Sequence, residues 1–507
     1  MVNVDLTGHS PMPAWPAVPH IRPATATTGF TKKALCTPLL IAAALLNIAA
    51  PSAARAGDDL LTAWQAAARH DPVFGAAREQ LQAGHARQQQ GSALLRPQVA
   101  LTGAAAVVSS DNNTTGAQFR APGFGSSTDA EFRTKVNGGQ SAGWSLVAQQ
   151  PIYNAERSAN ARQFDRQGSL ADAQFRAAQQ DLILRTAQAY FAVLLAQDAI
   201  ETLQAQRASA ARARDVASGK FDEGATPVTD RDEARARFDE ISVRELAARN
   251  ELEMKRAEFS DLSGLQAERL NRVKPDATFD QFLAGTLAEW TDRASRQNPL
   301  LQMQELGHAV ARDEIDKFRA LTSPSVDLIA RIADDRLQGN NGFGSTSVTS
   351  STRSIGLQLT IPIYEGGMRS AKRDEAEALA RKAGLDVTAL RQAMTRQTRA
   401  AWLGVSTGVA QIHAQEQALQ SARSRLGATE TGNEVGARTM LDLMNAQADF
   451  YQARRNLAQA KYQLLLNRLR LAATAGDLSE TELRHVNTAL AADTADRQAK
   501  RATSELK

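Results

Sequence analysis

Two halves of this chain carry the same landmarks in the same order. Trp64, Asp71-Pro72, the run Pro97-Gln98-Val99-Ala100-Leu101 and Pro151-Ile152-Tyr153 recur as Trp290, Asn298-Pro299, Pro324-Ser325-Val326-Asp327-Leu328 and Pro362-Ile363-Tyr364. Tyr153 to Tyr364 is a step of 211, and Gly224 to Gly436 and Gly264 to Gly476 are steps of 212, so the register holds over more than a hundred residues. A period that persists this long marks a duplicated unit, and the fold must be one that two similar units build together. The repeats are read as 57–264 and 282–476, with a connector over 265–281 that contains Pro275 and a polar tail over 477–507, to which no role is assigned.

Both halves have one plan. The first is expected to carry strands at about 95–108 and 142–154, a long helix over 155–218 and a second over 226–262. The second carries strands at about 322–336 and 352–365, a long helix over 367–430 and a second over 438–472. The strands rest on two-residue alternation. Ile355, Leu357, Leu359 and Ile361 are apolar, whereas Gly356, Gln358 and Thr360 are not; Val326 to Ile332 and Trp144 to Ala148 alternate likewise. Each pair therefore has one greasy face, and two strands per half are too few to cover it with a second sheet. A transmembrane barrel instead turns such a face to lipid and the polar face to a lumen. The polar segments 109–141 and 334–351 each hold a Gly-Phe-Gly step, at 123–125 and 342–344, and are expected as flexible hairpin tips outside the membrane. The step lacks the glycine spacing of a phosphate-binding loop.

From Ala155 to Ser218 there is no proline and one glycine, Gly168. At about 1.5 Å per residue this predicts roughly 95 Å of unbroken helix. Phe175, Leu182, Ala189, Ala196, Leu203, Ala210 and Ala217 recur every seven residues, a spacing that by itself fits an ordinary coiled coil. The adjoining greasy strands and the alanine seams, which let helices approach closely, favour the wall of a tube. Composition agrees: hydrophobic residues make up 43% but aromatics only 5%, too little bulk for a thick globular core.

The net charge of +4 and pI near 9.2 do not indicate a nucleic-acid partner, because Lys and Arg alternate with Asp and Glu along stretches such as Arg231 to Arg256. Lys32-Lys33, the apolar run Leu39 to Ala50 and Ala54-Arg55-Ala56 have the order of a secretory signal, so 1–56 is read as an extension and leader cleaved after Ala56. Thirty residues before the signal leave open a later translation start or an extended leader. The only cysteine, Cys36, departs with it, which removes thiol and disulfide chemistry. No other run approaches the roughly 18–20 apolar residues of a spanning helix, so membrane crossing falls to the strands. The seven histidines show no metal-ligand spacing, and HExxH, Walker, GxSxG and CxxC motifs are absent from the sequence. No cofactor, metal or enzymatic activity is expected.

The segments GKFDEGATPVTDRDEARARF, Gly219 to Phe238, and TGNEVGARTMLDLMNAQADF, Thr431 to Phe450, closely resemble the periplasmic hairpins of TolC-type outer-membrane factors. The Pro-Ile-Tyr strand ends and the twofold repeat share the resemblance, which spans the chain from about Gly57 to the tail. It implies an α+β membrane protein in which a homotrimer shares a 12-stranded transmembrane β-barrel, continued by a 12-helix periplasmic α-barrel. Such a duct sits in the outer membrane, reaches into the periplasm and opens when a periplasmic adaptor and an inner-membrane transporter of the ABC or RND type dock. The resemblance places a resting latch at Arg438 with Thr229 and Asp230, hairpin turns at Gly224 and Gly436, and an acidic collar at Asp442. Threefold-related carboxylates there are expected to raise one another's pKa. Two departures matter: Asn433 stands where relatives often carry Tyr, and Asn445 replaces a second aspartate, which implies a weaker latch and a single collar. Without the resemblance, Asp442 reads as a helix-capping or solvated carboxylate. The second hairpin favours type I protein secretion over drug efflux as the service performed. A periplasmic coiled-coil adaptor without a barrel is the alternative from another class, and the four alternating segments speak against it.

Overall fold

The computed structural model describes residues 58–491, apart from 124, 275–276, 284, 320–322 and 341–343. The leader with Cys36 and Ala56, Pro275 of the connector, Phe124 and Gly342-Phe343 of the expected tips, and the tail beyond 491 lie outside the described residues. In chain order the elements are α1 (Leu60–His70), α2 (Pro72–Ala93), β1 (Gln98–Ala121), β2 (Gly125–Asn154), α3 (Ala155–Asp222) and α4 (Val228–Ser263). After β3 (Arg272–Val273) and a 3-10 turn (Asp280–Phe282) come α5 (Leu287–Gln297), α6 (Pro299–Phe318), β4 (Ser325–Asn340), β5 (Ser345–Thr360), α7 (Met368–Glu434) and α8 (Met440–Ala475). Then α9 (Glu480–Asn487) and β6 (Leu490–Ala491) complete the described chain. Helix, helix, strand, strand, helix, helix thus occurs twice.

The recurring Asp-Pro and Asn-Pro pairs are helix starts. Asp71 accepts from the backbone N–H of Val73 and Phe74, Asn298 from those of Leu300 and Leu301, and each is followed by proline at the first helical position. That proline costs nothing, since the N–H it lacks has no partner in the first turn of a helix. At 68 and 67 residues, α3 and α7 each extend about 100 Å. Within the seven-residue series of α3, Leu182, Ala196, Ala210 and Ala217 are buried, and Phe175, Ala189 and Leu203 are half-buried. The series is the seam by which α3 packs on its neighbours.

β1, β2, β4 and β5 form one antiparallel sheet in the order β1-β2-β4-β5. Near the sheet α3 lies between α2 and α6, and farther away between α4 and α8, with α7 packed on α6 and then α8. Sheet and helices thus share one lateral order, with first-half elements at one edge and β5 or α7 at the other. Halfway along the long helices the core thickens into a belt: Tyr190, Phe191, Phe259, Phe282, Trp290, Leu465 and Leu469 are buried there. The Tyr190 hydroxyl donates to the carbonyls of Asp58 and Asn271, tying the segment before α1 and the connector to the first long helix.

Three expectations need correction. The segments 109–141 and 334–351 are mostly paired strand, because β1 and β2 remain in register as far as Ala121 opposite Gly125, and β4 and β5 as far as Asn340 opposite Ser345. Ser, Thr and Asn on both faces leave no alternation to read, while the backbone ladder needs none. The strand expected to reach 365 stops at Thr360, where the approaching Pro362 removes a ladder donor. The tail is not roleless from 477 onward: Leu483, Val486 and Leu490 are buried in the belt, and β6 pairs with β3. Its apolar residues are too sparse to stand out from a polar composition, although Leu483 and Val486 fall at helical spacing.

Candidate functional site

The sheet presents two chemically distinct faces. Cross-strand partners share a face, and Leu101, Leu146, Ile332 and Arg353 form one row across all four strands, with Val99, Ala148, Ala330 and Ile355 forming the next. On this face Leu101, Ile355 and Leu357 are each at least 70% exposed in the single chain. The opposite face carries Thr102, Ser145, Gln149, Gln358 and Asp335. Exposed apolar side chains in continuous rows demand a nonaqueous neighbour.

The greasy face is bounded at both ends. Trp144 lies at the hairpin end, opposite Asp334, and Tyr153 at the helix end, opposite Val326. Asp334 and Arg353 are charged residues of this face, and both sit toward Trp144. The span from Trp144 to Tyr153 is about 30 Å along the strand, and about 23 Å in height at the usual strand tilt of about 40°. That agrees with the roughly 25 Å apolar band, framed by aromatic girdles, of an outer-membrane barrel. All four helix connections leave the sheet at the Tyr153 end, so both strand hairpins point to the other side of the membrane.

At the far ends of the long helices are the two helical hairpins. Gly224 and Gly436 have φ of 74° and 77°, a left-handed turn that a side chain makes costly. Val435 N–H donates to the Thr431 carbonyl, and Ala437 and Arg438 N–H both donate to that of Gly432. Asn433 Nδ2 donates to the Arg438 carbonyl at 3.1 Å, so Asn433 fastens the turn that presents Arg438. Arg438 itself is exposed. Thr229 and Asp230 occupy the first turn of α4, where a carboxylate suits the helix dipole. Among the described residues, no hydrogen bond or ion pair joins Arg438 to Thr229 or Asp230 within one chain, and α4 and α8 flank α3 on opposite sides.

Asp442 is the third residue of α8 and closes a capping box with Thr439. Its Oδ2 accepts from the Thr439 N–H at 3.1 Å and from the Thr439 hydroxyl at 2.9 Å, while its own N–H donates to Thr439 Oγ1. These two bonds, with Arg438 and Arg425 nearby, hold the Asp442 carboxyl below its ordinary value. In one chain the shift is opposite to that expected of a collar, because only the capping partners are present. The first hairpin has no counterpart: Pro227 precedes α4 and makes no side-chain cap. The helix-capping alternative read for Asp442 is what the single chain shows; only its partner Thr439 went unread, although the Thr-x-x-Asp spacing before an apolar run marks it.

A bounded lipid band continued by helices of this length defines an outer-membrane channel protein. Residues 63–265 and 290–477 match the family model described as outer membrane efflux protein, and the chain belongs to that family. It is 30% identical to the outer membrane protein TolC of Vibrio cholerae, over 67% of this chain and 78% of that one. To the alkaline protease secretion protein AprF of Pseudomonas aeruginosa it is 29% identical, over 84% of this chain and 85% of the relative. The fold is also that of the Campylobacter jejuni CmeC outer membrane channel, with a TM-score of 0.68, 15% identity and coverage of 85% of this chain and 89% of that one. The protein is an export channel of the outer membrane that extends into the periplasm, from a family of transport components rather than enzymes.

Proposed function

We propose that three copies close into a 12-stranded barrel continued by a 12-helix tunnel, and that this duct is the exit of a type I protein secretion system. The supporting observation is the matching pair of open edges. Among the described residues β1 and β5 each lack a partner on one side, and lipid does not tolerate an open sheet edge. Four strands are too few to close alone, and two copies give eight strands, whose interior side chains fill. Three copies are the smallest ring that leaves a bore. The helical layers have the same lateral order, so one threefold closure serves sheet and helices alike.

In this reading the hairpins around Gly224 and Gly436 draw together at rest, and Arg438 then latches to Thr229 and Asp230 in the assembled state. An exposed pair of this kind contributes about 0–1 kcal/mol, weak enough for a docking partner to release it. Asp442 forms the single acidic ring, for which the capping box fixes the carboxylate position. Secretion is favoured because the likeness to AprF extends over 84% of this chain, against 67% for the Vibrio cholerae TolC. The partners are a periplasmic adaptor and an ABC transporter; an efflux duct would instead meet an RND pump.

The test is co-purification of the cross-linked channel from its native envelope. An ABC transporter and adaptor in the eluate, with loss of one or a few secreted proteins on deletion, is the expected result. An RND pump in the eluate with secretion intact rejects the secretion assignment.

A further inference from the structure

Where α8 ends and α6 begins, the two helices abut between α3 and α7 and leave a groove of about 740 Å³. Asn298, the cap of α6, donates through Nδ2 to the Thr474 carbonyl at 2.9 Å, so the joint is fastened on one side. Alanines on all three long helices around the joint, at 177 and 178, 400 and 401, and 473, leave the space between the larger side chains. Ala177, Leu184, Pro299, Met394, Ala401 and Ala473 give it an apolar lining. Its volume lies within the roughly 300–1,000 Å³ of small-molecule sites.

The polar groups at its rim are unequal. Asp181 is engaged by Arg185 at 2.6 Å. Arg470 is exposed, has no ion pair among the described residues, and makes one long contact, from Nη1 to Asn467 Oδ1 at 3.5 Å. Gln397, also exposed, lies at the rim contributed by α7. The groove therefore combines an apolar floor with one uncompensated guanidinium.

Helix geometry fixes the direction in which it opens. On α8, Arg468 faces the belt, pairing with Glu482 at 2.9 Å and lying over the Trp290 ring. Arg470 is about 200° around the helix from Arg468, and Ala473 about 140°. On α3, Asp181 is about half a turn from the belt-facing Tyr190. The groove thus opens on the side of the wall away from the belt. On the tunnel reading above, with the belt on the outside of the ring, the groove faces the bore.

We propose that the groove is a ligand site in the channel wall for amphipathic organic anions, compact apolar bodies that bear one carboxylate or sulfonate. The apolar body lies along the alanine and methionine floor, and the anion pairs with Arg470, whose planar fork suits a carboxylate or sulfonate. A trimer holds three such sites at one level.

The probe is 8-anilinonaphthalene-1-sulfonate, titrated by fluorescence against the intact assembly in amphipol, without detergent micelles. A saturable emission rise is expected. Arg470→Gln weakens it about tenfold, the effect of about 1.4 kcal/mol, and Arg470→Lys restores part of it. Gln397→Trp, which fills the mouth from an exposed position, removes the saturable component. N-phenyl-1-naphthylamine, which has the same rings and no sulfonate, binds wild type and Arg470→Gln alike. Superimposable titrations for wild type, Arg470→Gln and Gln397→Trp overturn the site, and equal weakening of both probes by Arg470→Gln overturns the ion contact. Conductance of the same preparations in planar bilayers reports the tunnel separately: saturable binding without a pore rejects the tunnel and leaves the groove standing.

Discussion

The Tyr462 hydroxyl donates to Asp198 Oδ2 at 2.7 Å, joining the last long element of the second half to the first long helix. Arg272 of the connector reaches the other Asp198 oxygen at 3.4 Å and Glu201 at 2.5 Å. Halves and connector thus meet at one carboxylate in the belt. Tyr462→Phe removes a bond to a charged acceptor that water does not fully replace, and should cost about 1–3 kcal/mol. A lowered midpoint of thermal unfolding checks this; an unchanged midpoint contradicts it.

Burial raises the Asp198 pKa above its ordinary value, against the lowering effects of Tyr462 and Arg272. A raised folded value means that this group's contribution is full below the unfolded pKa of 3.8 and is lost as pH rises through the folded value. Neutralising it should therefore help on the alkaline side of that window. Asp198→Asn is expected to flatten the dependence of unfolding temperature on pH above the ordinary value of 3.8 relative to wild type. A parallel curve rejects the assignment.

The two sheet faces should respond oppositely to charge. Leu357→Arg places a guanidinium in lipid between mid-depth and the Tyr153 boundary, at a cost below the about 2–4 kcal/mol of the midplane, and should reduce recovery from the outer membrane. Gln358→Arg, one residue on and facing the lumen, should leave recovery near wild type. Equal losses mean that the faces are wrongly assigned.

At the hairpin end, Arg438→Ala should raise resting conductance in planar bilayers; unchanged conductance removes the latch. Asp442→Asn should weaken block by polyvalent cations and also loosen the start of α8, since it weakens the box with Thr439. Thr439→Ala loosens the helix by about 1 kcal/mol while leaving the carboxylate in place. Faster amide exchange at the start of α8 in both variants, with cation block reduced chiefly in Asp442→Asn, separates the collar from the cap.

Much of this fold could be read from residue order. Gly224 and Gly436 announced turns and the proline-free run from Ala155 a continuous helix, whereas Asp71-Pro72 and Asn298-Pro299 served only as landmarks of the repeat although their order also marks helix starts. The strand extensions from Ser109 and from Gly125 did not declare themselves, because side chains such as Ser110, Asn112 and Thr114 carry no apolar signal and backbone pairing alone holds them. Leu483, Val486 and Leu490 were hidden for a related reason: a few apolar residues suffice when an existing core receives them. Arg438 and Asp230 lie in different hairpins, and their meeting depends on assembly, which one chain does not contain.

The most direct test of the account is the copy number of the complex extracted intact from the outer membrane, measured by light scattering with the amphiphile contribution subtracted. Closure of the β1 and β5 edges around an open bore predicts three chains per particle. A particle of one or two chains contradicts it, since neither leaves a passage through the sheet.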